Sequence, residues 1–235
     1  QTNQELITWG ENLAMIEGWT EEKYLKIAIK NEDGQVAKSF WVDEVEKKKS
    51  KFQQHLISVL FRPQNMRLIT GSPGRRRNFL DEVLSPLDWQ YYQALLTYNK
   101  AVTRRNRVLK QIQNKQANEQ ELFFWSQTLE KNGKTLREQR QKFIEFCNYY
   151  WQTEKQEFKH LEVDYEASPV TVNLLEKNLQ KDLNLGVTTI GPHRDNFIVN
   201  SNEFGDEPKA LDIWGSRGQQ RLAVLGFKLA HLAYV

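Results

Sequence analysis

Two long stripes of apolar residues at heptad spacing constrain this fold more than any other feature of the sequence. The first stripe runs through residues 95–112 and the second through residues 122–150, with members at alternating intervals of three and four. Such spacing places one continuous stripe along the face of an α-helix. A polar stretch, residues 114–120, separates the two stripes. We therefore expect an antiparallel αα-hairpin whose stripes face each other, with a weak point in the second helix at Asn132 and Gly133.

Shorter apolar runs on both sides of this hairpin indicate strands and short helices. Residues 24–29 and 36–42 alternate around an Asp-Gly turn at residues 33–34, which predicts a β-hairpin. Residues 55–61 are expected to be the end of a helix that leads to a buried strand, and the arginines at 75–77 to open a helix. Further strands are expected at residues 160–165, 187–190, 196–199 and 210–214. The sequence predicts a mixed α/β (α+β) fold with parts at residues 1–84, 85–160 and 161–235, the middle part being an inserted helical lobe.

Composition excludes several classes of protein. Aromatic residues make up 11% of the chain, and so much aromatic area argues against intrinsic disorder. Cys147 is the single cysteine, so an intrachain disulfide is impossible and a reducing cytoplasm is expected. No apolar run approaches the roughly 20 residues of a membrane span. Neither end resembles a natural terminus, and we expect an internal part of a longer chain.

Residues 215–225 form a polar loop with two glycines that runs directly into an apolar helix. Free N–H groups at a helix start can cradle a phosphate. Ser216 would supply a hydroxyl and Gln219 a side-chain donor. Gly218 would allow the phosphate to approach the backbone closely, and Arg217 adds positive charge. Local chemistry alone favours a plain interpretation, in which Ser216 only caps the helix, because serine is common at this position.

Basic residues concentrate in the first long helix. Between Trp89 and Asn118 there are six basic residues and no acidic residue. Such a patch predicts salt-dependent binding along a nucleic-acid backbone, and its alternative is a solvated face. Arg105 lies on the apolar stripe. Arg75 and Arg76 are a second candidate, with pairing to Asp81 or Glu82 as the alternative. The predicted DNA-binding residues are Lys100, Arg104, Arg107, Lys110, Lys115, Arg75 and Arg76.

Four blocks of sequence, in this order, resemble the RecF family of bacterial DNA replication and repair proteins. They are FRPQNMRLITGSPGRRRNFLD (61–81), YNKAVTRRNRVL (98–109), GVTTIGPHRD (186–195) and SRGQQR (216–221). The resemblance implies part of an ABC/SMC-like ATPase head that binds ATP and Mg²⁺ and dimerises on ATP. It also implies gapped DNA, single-stranded or double-stranded, and RecR-like and RecO-like repair proteins as partners. By resemblance, the partner protomer's ATP phosphate would be contacted by Ser216, Arg217, Gly218 and Gln219.

The chain departs from that family in ways that bear on catalysis. It contains no P-loop and no apolar strand ending in paired acids, so we predict no catalytic residue and no ATP hydrolysis by this chain alone. Arg217 stands where the family often has glutamine. Gln64 and Asn65 replace acidic residues, and Asn196 follows Asp195 where a second aspartate is common.

Other interpretations remain open at this stage. The chain could be a catalytically silent DNA-binding or scaffold module in which Ser216 merely caps a helix. It could also be another SMC-like head ATPase, although the short helical hairpin argues against a long coiled-coil arm. Residues 191–195 contain His, Arg and Asp but have no adjacent nucleophile, so they are expected to support the nucleotide edge or the junction of the lobes. No metal-ligand spacing is present, and no metal site is predicted.

Overall fold

The chain folds into two units, and the first is an antiparallel sheet formed by alternating apolar and polar residues near the start of the chain. The structure is a computed structural model that describes residues 3–32, 34–56, 58–203, 205 and 207–235. The chain divides into two compact units, Gln1–Ser58 and Val59–Val235. The boundaries expected at residues 84 and 160 both lie inside the second unit, so the division into lobes at those residues stays a prediction.

The first unit is a four-stranded antiparallel sheet with strand order β1-β2-β3-β4. Its buried cluster contains Leu25 and Val42, which lie opposite each other, and Phe52 from a short helix. The β-hairpin predicted from residues 24–29 and 36–42 is therefore confirmed. Gly34 occupies the turn with a φ of 83°, and Asp33 lies outside the described residues. The elements are β1 (Leu13–Trp19), β2 (Tyr24–Glu32), β3 (Gln35–Val42), β4 (Val45–Lys47) and α1 (Lys49–Phe52), after a 3-10 turn at Asn3–Leu6.

Among the described residues, neither the helix end nor the buried strand expected from residues 55–61 forms. Residues 55, 56 and 58–61 lie in neither a helix nor a strand, and Ile57 is outside the described residues. Leu60 and Phe61 are about half exposed. An apolar run becomes a strand where a neighbouring strand takes its hydrogen bonds, and no described strand pairs with this one.

The second unit is built around the predicted helical hairpin, which is confirmed. The carboxylate of Asp88 caps α4 by accepting from the N–H groups of Gln90 and Tyr91. The second helix of the hairpin, α5, is continuous through Asn132 and Gly133, the expected weak point. The helices up to this point are α2 (Arg67–Thr70), α3 (Pro73–Leu87), α4 (Trp89–Gln113) and α5 (Glu121–Thr153).

A three-stranded antiparallel sheet and a long final helix complete the second unit. The sheet order is β5-β6-β7, so the strands expected at residues 160–165 and 196–199 are confirmed. Gly186 ends α7 with a φ of 65°. The elements are β5 (Leu161–Glu166), α6 (Val172–Lys177), α7 (Leu179–Leu185), β6 (Asn196–Ser201), β7 (Lys209–Ala210), α8 (Leu211–Trp214) and α9 (Arg217–Tyr234).

Two of the predicted strands in this unit are wrong. Residues 187–190 form no strand, because Thr188 hydrogen-bonds to Asn106 and Thr189 to Asp182 through both backbone and side chain. At residues 210–214, β7 ends at Ala210 and the chain turns into α8. At residues 187–190, polar contacts from other elements override the local apolar pattern.

The core of the second unit lies where α3, α5 and β6 meet α9. Phe227 of α9 packs edge-on against Phe79 and Trp151, and it also contacts Phe197 of β6. Cys147 of α5 is fully buried in the same cluster. Among the described residues, no helix combines the length and apolar character that crossing a membrane requires.

Candidate functional site

The loop-to-helix junction before α9 is the first candidate site, and we call residues 215–219 the signature turn. Ser216 is the N-cap of α9, and its Oγ accepts from the backbone N–H of Gln219 at 3.3 Å. In return, the Oε1 of Gln219 accepts from the backbone N–H of Ser216 at 2.8 Å. These reciprocal bonds form a capping box, which fixes the direction in which the first N–H groups point.

The signature turn keeps donors available at its surface. The N–H of Gln219 goes to Ser216 Oγ and that of Gln220 to the Ser216 carbonyl. A helix leaves its first N–H groups without an intrahelical acceptor, so those of Arg217 and Gly218 point out of the helix start. Ser216, Arg217 and Gly218 are all exposed. Together with the positive end of an 18-residue helix, this geometry suits an anion.

A carboxylate also touches the signature turn. Glu203 accepts from the Gln219 side-chain amide at 2.9 Å, and its other oxygen lies 3.7 Å from the Nδ1 of His160. The Glu203 contact orients the Gln219 side chain. Sequence reasoning missed this residue because Glu203 lies in a loop 16 positions before its partner, without any motif around it.

The basic residues of α4 form the second candidate site. Lys100, Arg104 and Arg107 follow each other at intervals of four and three, so they share one side of the helix. These three and Lys110 are exposed, and we call the four residues the α4 basic face. Lys115 is exposed in the turn after α4, with a φ of 60°. Four of the predicted residues therefore lie on α4, and Lys115 lies just beyond the end of that helix.

The arginines at 75–77 divide between surface and interior. Arg75 is exposed, whereas Arg76 is only 8% exposed. The Arg76 guanidinium donates to the carbonyls of Ile69 and Gly71 and to Asn196 Oδ1. Arg77 donates to the Asp195 carbonyl at 2.8 Å. Arg76 is thus used inside the fold, and Asn196, one of the departures from the family pattern, is its partner.

Residues 191–195 contribute to a buried polar network centred on Arg140. Arg140 of α5 is 2% exposed and pairs with Asp195 and Asp81, each at 2.9 Å. It also donates to the Pro192 carbonyl and to the Tyr91 hydroxyl. We call this set the Arg140 network. It joins α3, α4 and α5 to the segment before β6, and the burial of its central ion pair indicates a structural role.

His193 belongs to the same buried segment. Its Nε2 lies 3.0 Å from the Thr188 carbonyl and its Nδ1 lies 2.8 Å from the Tyr98 hydroxyl. The carbonyl can only accept, so Nε2 carries the proton and Nδ1 accepts from Tyr98. Burial lowers the pKa of the imidazole. A neutral, fully hydrogen-bonded histidine of this kind is structural.

Arg105, which the sequence places on the apolar stripe, is 1% exposed. Its Nη1 donates to Asp182 at 2.6 Å and to Thr188 Oγ1 at 2.9 Å. This buried ion pair ties α4 to α7. Arg105 is therefore separate from the α4 basic face.

The side chains around the signature turn suit an anion better than a metal ion. In the part of the chain that the structure describes, no group of three His, Cys, Asp or Glu residues is placed to hold a metal ion. The signature turn itself offers donors to an anion and no carboxylate in its first helical turn. Its free N–H groups are therefore suited to a phosphate oxygen, and the nearby Glu203 carboxylate is bound to the Gln219 amide.

Comparison with known proteins gives a consistent result. No family model matches the chain. The chain is 33% identical over 252 residues to the DNA replication and repair protein RecF of Clostridium novyi (strain NT), covering 99% of this chain and 66% of that protein. It is 36% identical over 189 residues to RecF of Clostridium perfringens (strain 13 / Type A), covering 75% and 50% of the two chains. The chain thus spans about half the length of the Clostridium perfringens relative.

Solved structures extend the similarity to the whole fold. Two structures of the recombination mediator protein RecF in the RecFOR pathway, described as RecF-ATPrS and RecF-ATP, match with TM-scores of 0.83 and 0.81. Both are 26% identical to this chain and cover 100% and 99% of it, which is 67% and 66% of the matched chains. The predicted mixed α/β fold with its helical hairpin agrees with these structures.

Proposed function

This chain belongs to the RecF family of DNA replication and repair proteins, and on that premise we propose that its whole protein binds ATP between two copies and holds DNA along the α4 basic face. The signature turn carries the proposal. Its serine and glycine are exposed and lie at the N-terminal end of α9, where free N–H groups favour an anion, and this supports the proposal.

The nucleotide would be contacted across a dimer. Ser216 and Gly218 would donate hydrogen bonds to the terminal phosphate of ATP held by the other protomer. Gln219 would donate the second N–H of its side-chain amide, the first being bound to Glu203, and Arg217 would add positive charge. Mg²⁺ would enter with that nucleotide, because Mg²⁺ in nucleotide sites is held largely by the phosphates and by water. Hydrolysis would need residues of the partner protomer or of the longer protein. Bound ATP supplies the charge and the oxygen acceptors that join the two copies.

DNA would lie along the outer side of the helical hairpin. Lys100 and Arg107 are separated by about 10 Å along the helix axis at 1.5 Å per residue, a length that allows contact with successive phosphates. Lys110, Lys115 and Arg75 are further exposed contacts, whereas Arg76 is buried and we leave it out of the interface. Binding would be independent of sequence and sensitive to salt. We place the protein in the cytoplasm, where its DNA lies.

Protein partners follow from the pathway in which its structural relatives act. The names of the matched structures place RecF in the RecFOR pathway. We therefore include RecR-like and RecO-like proteins as partners and recombinational repair at gapped DNA as the process.

The nucleotide proposal is tested by Ser216→Arg in the longer protein that contains this chain. A bulky cation at the N-cap removes the serine hydroxyl and fills the space in front of the free N–H groups. We expect the ATP-dependent dimer, measured by sedimentation with ATP and Mg²⁺, to disappear while the monomer stays folded. Ser72→Arg, at the exposed N-cap of α3, is the matched control and should leave the dimer intact.

If Ser216→Arg leaves the dimer unchanged, the signature turn is a plain helix cap and the chain is a DNA-binding or scaffold module. The capping box alone is compatible with Ser216 as a plain helix cap. The dimer measurement therefore distinguishes a nucleotide-binding turn from a plain cap.

The DNA proposal is tested by replacing Lys100, Arg104 and Arg107 with glutamine together. Affinity for gapped DNA should fall strongly at low salt, and the slope of log K against log salt should become shallower by about 0.7–0.9 for each phosphate that the variant no longer neutralises. The matched control replaces Lys131, Lys134 and Arg137 with glutamine, since these are exposed on α5. Equal decreases in both triple variants would show a general charge effect and would contradict the assignment to α4.

A further inference from the structure

The chain between β6 and β7 places a carboxylate directly on the signature turn. Glu203 lies two positions after the end of β6, and its Oε2 accepts from the side-chain amide nitrogen of Gln219 at 2.9 Å. The oxygen of the same amide accepts from the Ser216 N–H at 2.8 Å. The Gln219 side chain is therefore held at both ends, and at one end its partner is an acidic side chain.

Burial does not fix the Glu203 carboxylate in this position. The side chain is 43% exposed, and its other oxygen lies 3.7 Å from the Nδ1 of His160, on the side away from the Gln219 contact. Hydrogen bonds at the surface compete with water and contribute little net free energy. The contact between Glu203 and Gln219 can therefore be given up when another acceptor reaches the turn.

A phosphate at the signature turn would come close to this carboxylate. The amide nitrogen of Gln219 carries two N–H groups, and Glu203 occupies one of them. Two oxygens that accept from the same nitrogen, each at about 2.9 Å and about 120° apart, are separated by about 5 Å. Two negative charges at that distance repel each other appreciably at a protein surface. The carboxylate thus opposes the anion that the free N–H groups of the turn attract.

We propose that Glu203 sets how tightly the signature turn holds a nucleotide phosphate. Its carboxylate occupies the Gln219 amide while the turn is empty, and its charge weakens the binding of the phosphate. The dimer therefore needs more nucleotide to form than it would need without this residue. The inference rests on the proposed function, since it concerns the affinity of the same turn for the same ligand.

Glu203→Gln in the longer protein tests the charge without removing the contact. The glutamine oxygen can accept the same hydrogen bond from Gln219, so the orientation of that side chain is kept. We expect the ATP concentration at which half of the dimer forms, measured by sedimentation with Mg²⁺, to fall at least about fivefold at low salt. The difference should shrink at about 0.5 M salt, where exposed charges are screened.

Two further variants separate charge from orientation. Glu207→Gln neutralises another exposed glutamate between β6 and β7, and it should leave the half-assembly concentration of ATP unchanged. Glu203→Ala removes the hydrogen bond as well as the charge, and it should lower that concentration as Glu203→Gln does. An unchanged value for Glu203→Gln together with a raised value for Glu203→Ala would show that Glu203 only orients Gln219, and would overturn the proposal. Equal decreases in Glu203→Gln and Glu207→Gln would show a general charge effect and would also contradict it.

Ser216→Arg distinguishes a failure of this inference from a failure of the proposed function. If Ser216→Arg abolishes the ATP-dependent dimer while Glu203→Gln leaves the half-assembly concentration unchanged, the nucleotide site is supported and the role of Glu203 is wrong. If Ser216→Arg leaves the dimer intact, the nucleotide site itself is wrong, and so is the role of Glu203. Thermal unfolding confirms that each variant is folded.

Discussion

At the scale of one residue, Gly218 is a glycine that the fold itself does not require. An added Cβ at this position would meet only the Ser216 Oγ, at 3.8 Å, so the packing of the chain does not require glycine. Its φ is not positive either. Glycine in a helix nevertheless costs about 1 kcal/mol relative to alanine. Close approach of a partner's phosphate would account for a residue that the fold itself does not need.

Gly218→Ala should therefore have opposite effects on stability and on assembly. We expect the free energy of unfolding in urea to rise by about 0.5–1 kcal/mol, while the ATP-dependent dimer of the longer protein weakens. Gly74 occupies the same second position in α3 and is also unhindered. Gly74→Ala should stabilise the chain similarly and leave the dimer unaffected. A Gly218→Ala protein that dimerises normally would contradict a phosphate at this turn.

Arg140 is a buried residue whose charge is needed inside the fold. Removing its charge leaves Asp81 and Asp195 without the counter-ion that they share. Arg140→Met should lower the free energy of unfolding by about 3–5 kcal/mol, as for other broken buried ion pairs. Arg137→Met, at an exposed position on the same helix, should change it by less than about 0.5 kcal/mol. A decrease below about 1 kcal/mol for Arg140→Met would mean that the network contributes little.

At the scale of elements, α5 depends on a glycine for its closest contact. A Cβ at Gly133 would lie 2.5 Å from Val170 Cγ1 and 3.3 Å from the Tyr98 ring. The sequence suggested that Gly133 weakens the helix, whereas the structure shows that it lets α4 and the segment before α6 approach α5. The residue serves packing between elements.

Gly133→Ala should lower the free energy of unfolding by about 1–3 kcal/mol, because overpacking outweighs the gain in helix propensity. Combining it with Val170→Ala removes the Cγ1 atom that causes the closest contact. The double variant should be destabilised by less than the sum of the two single variants, and this non-additivity in urea unfolding is the measurement. Strictly additive effects would show that the two residues do not compete for space.

Local patterns were sufficient for part of this architecture. The heptad stripes predict α4 and α5 because each repeat depends on near neighbours along one helix. The signature turn was predictable for the same reason, since its capping box spans four residues. The partners of Arg140, by contrast, lie 59 and 55 positions away. The strand expected at residues 187–190 failed because Asn106, 82 positions away, holds Thr188. Such contacts have no short-range pattern.

At the scale of the whole molecule, a buried neutral histidine makes the stability of the chain depend on pH. Burial, reinforced by the charge of Lys228, lowers the pKa of His231 to about 4 from its usual 6.5. His231 is 7% exposed and neither ring nitrogen has a hydrogen-bond partner among the described residues. Between pH 4 and 6.5 the unfolded chain therefore binds more protons than the folded chain, and stability rises with pH.

We expect the free energy of unfolding to fall as the pH is lowered from 6.5 to 4, with His231 contributing at most about 3 kcal/mol. His231→Phe should make this dependence shallower, measured by urea unfolding across the same pH range. His55→Phe replaces an exposed histidine and should keep the dependence of the original chain. A variant at His231 with an unaltered pH profile would contradict the assignment.

The fully buried Cys147 gives the chain a chemical reporter of its own opening. Its thiol is the only one in the sequence, and burial raises its pKa, so a thiol reagent cannot react while α5 stays packed. The rate of a single mass increase would then measure how often the core opens. Any ligand that binds the folded chain should slow that labelling as its occupancy increases. Within this chain, one cysteine thus provides a common assay for the binding of different ligands.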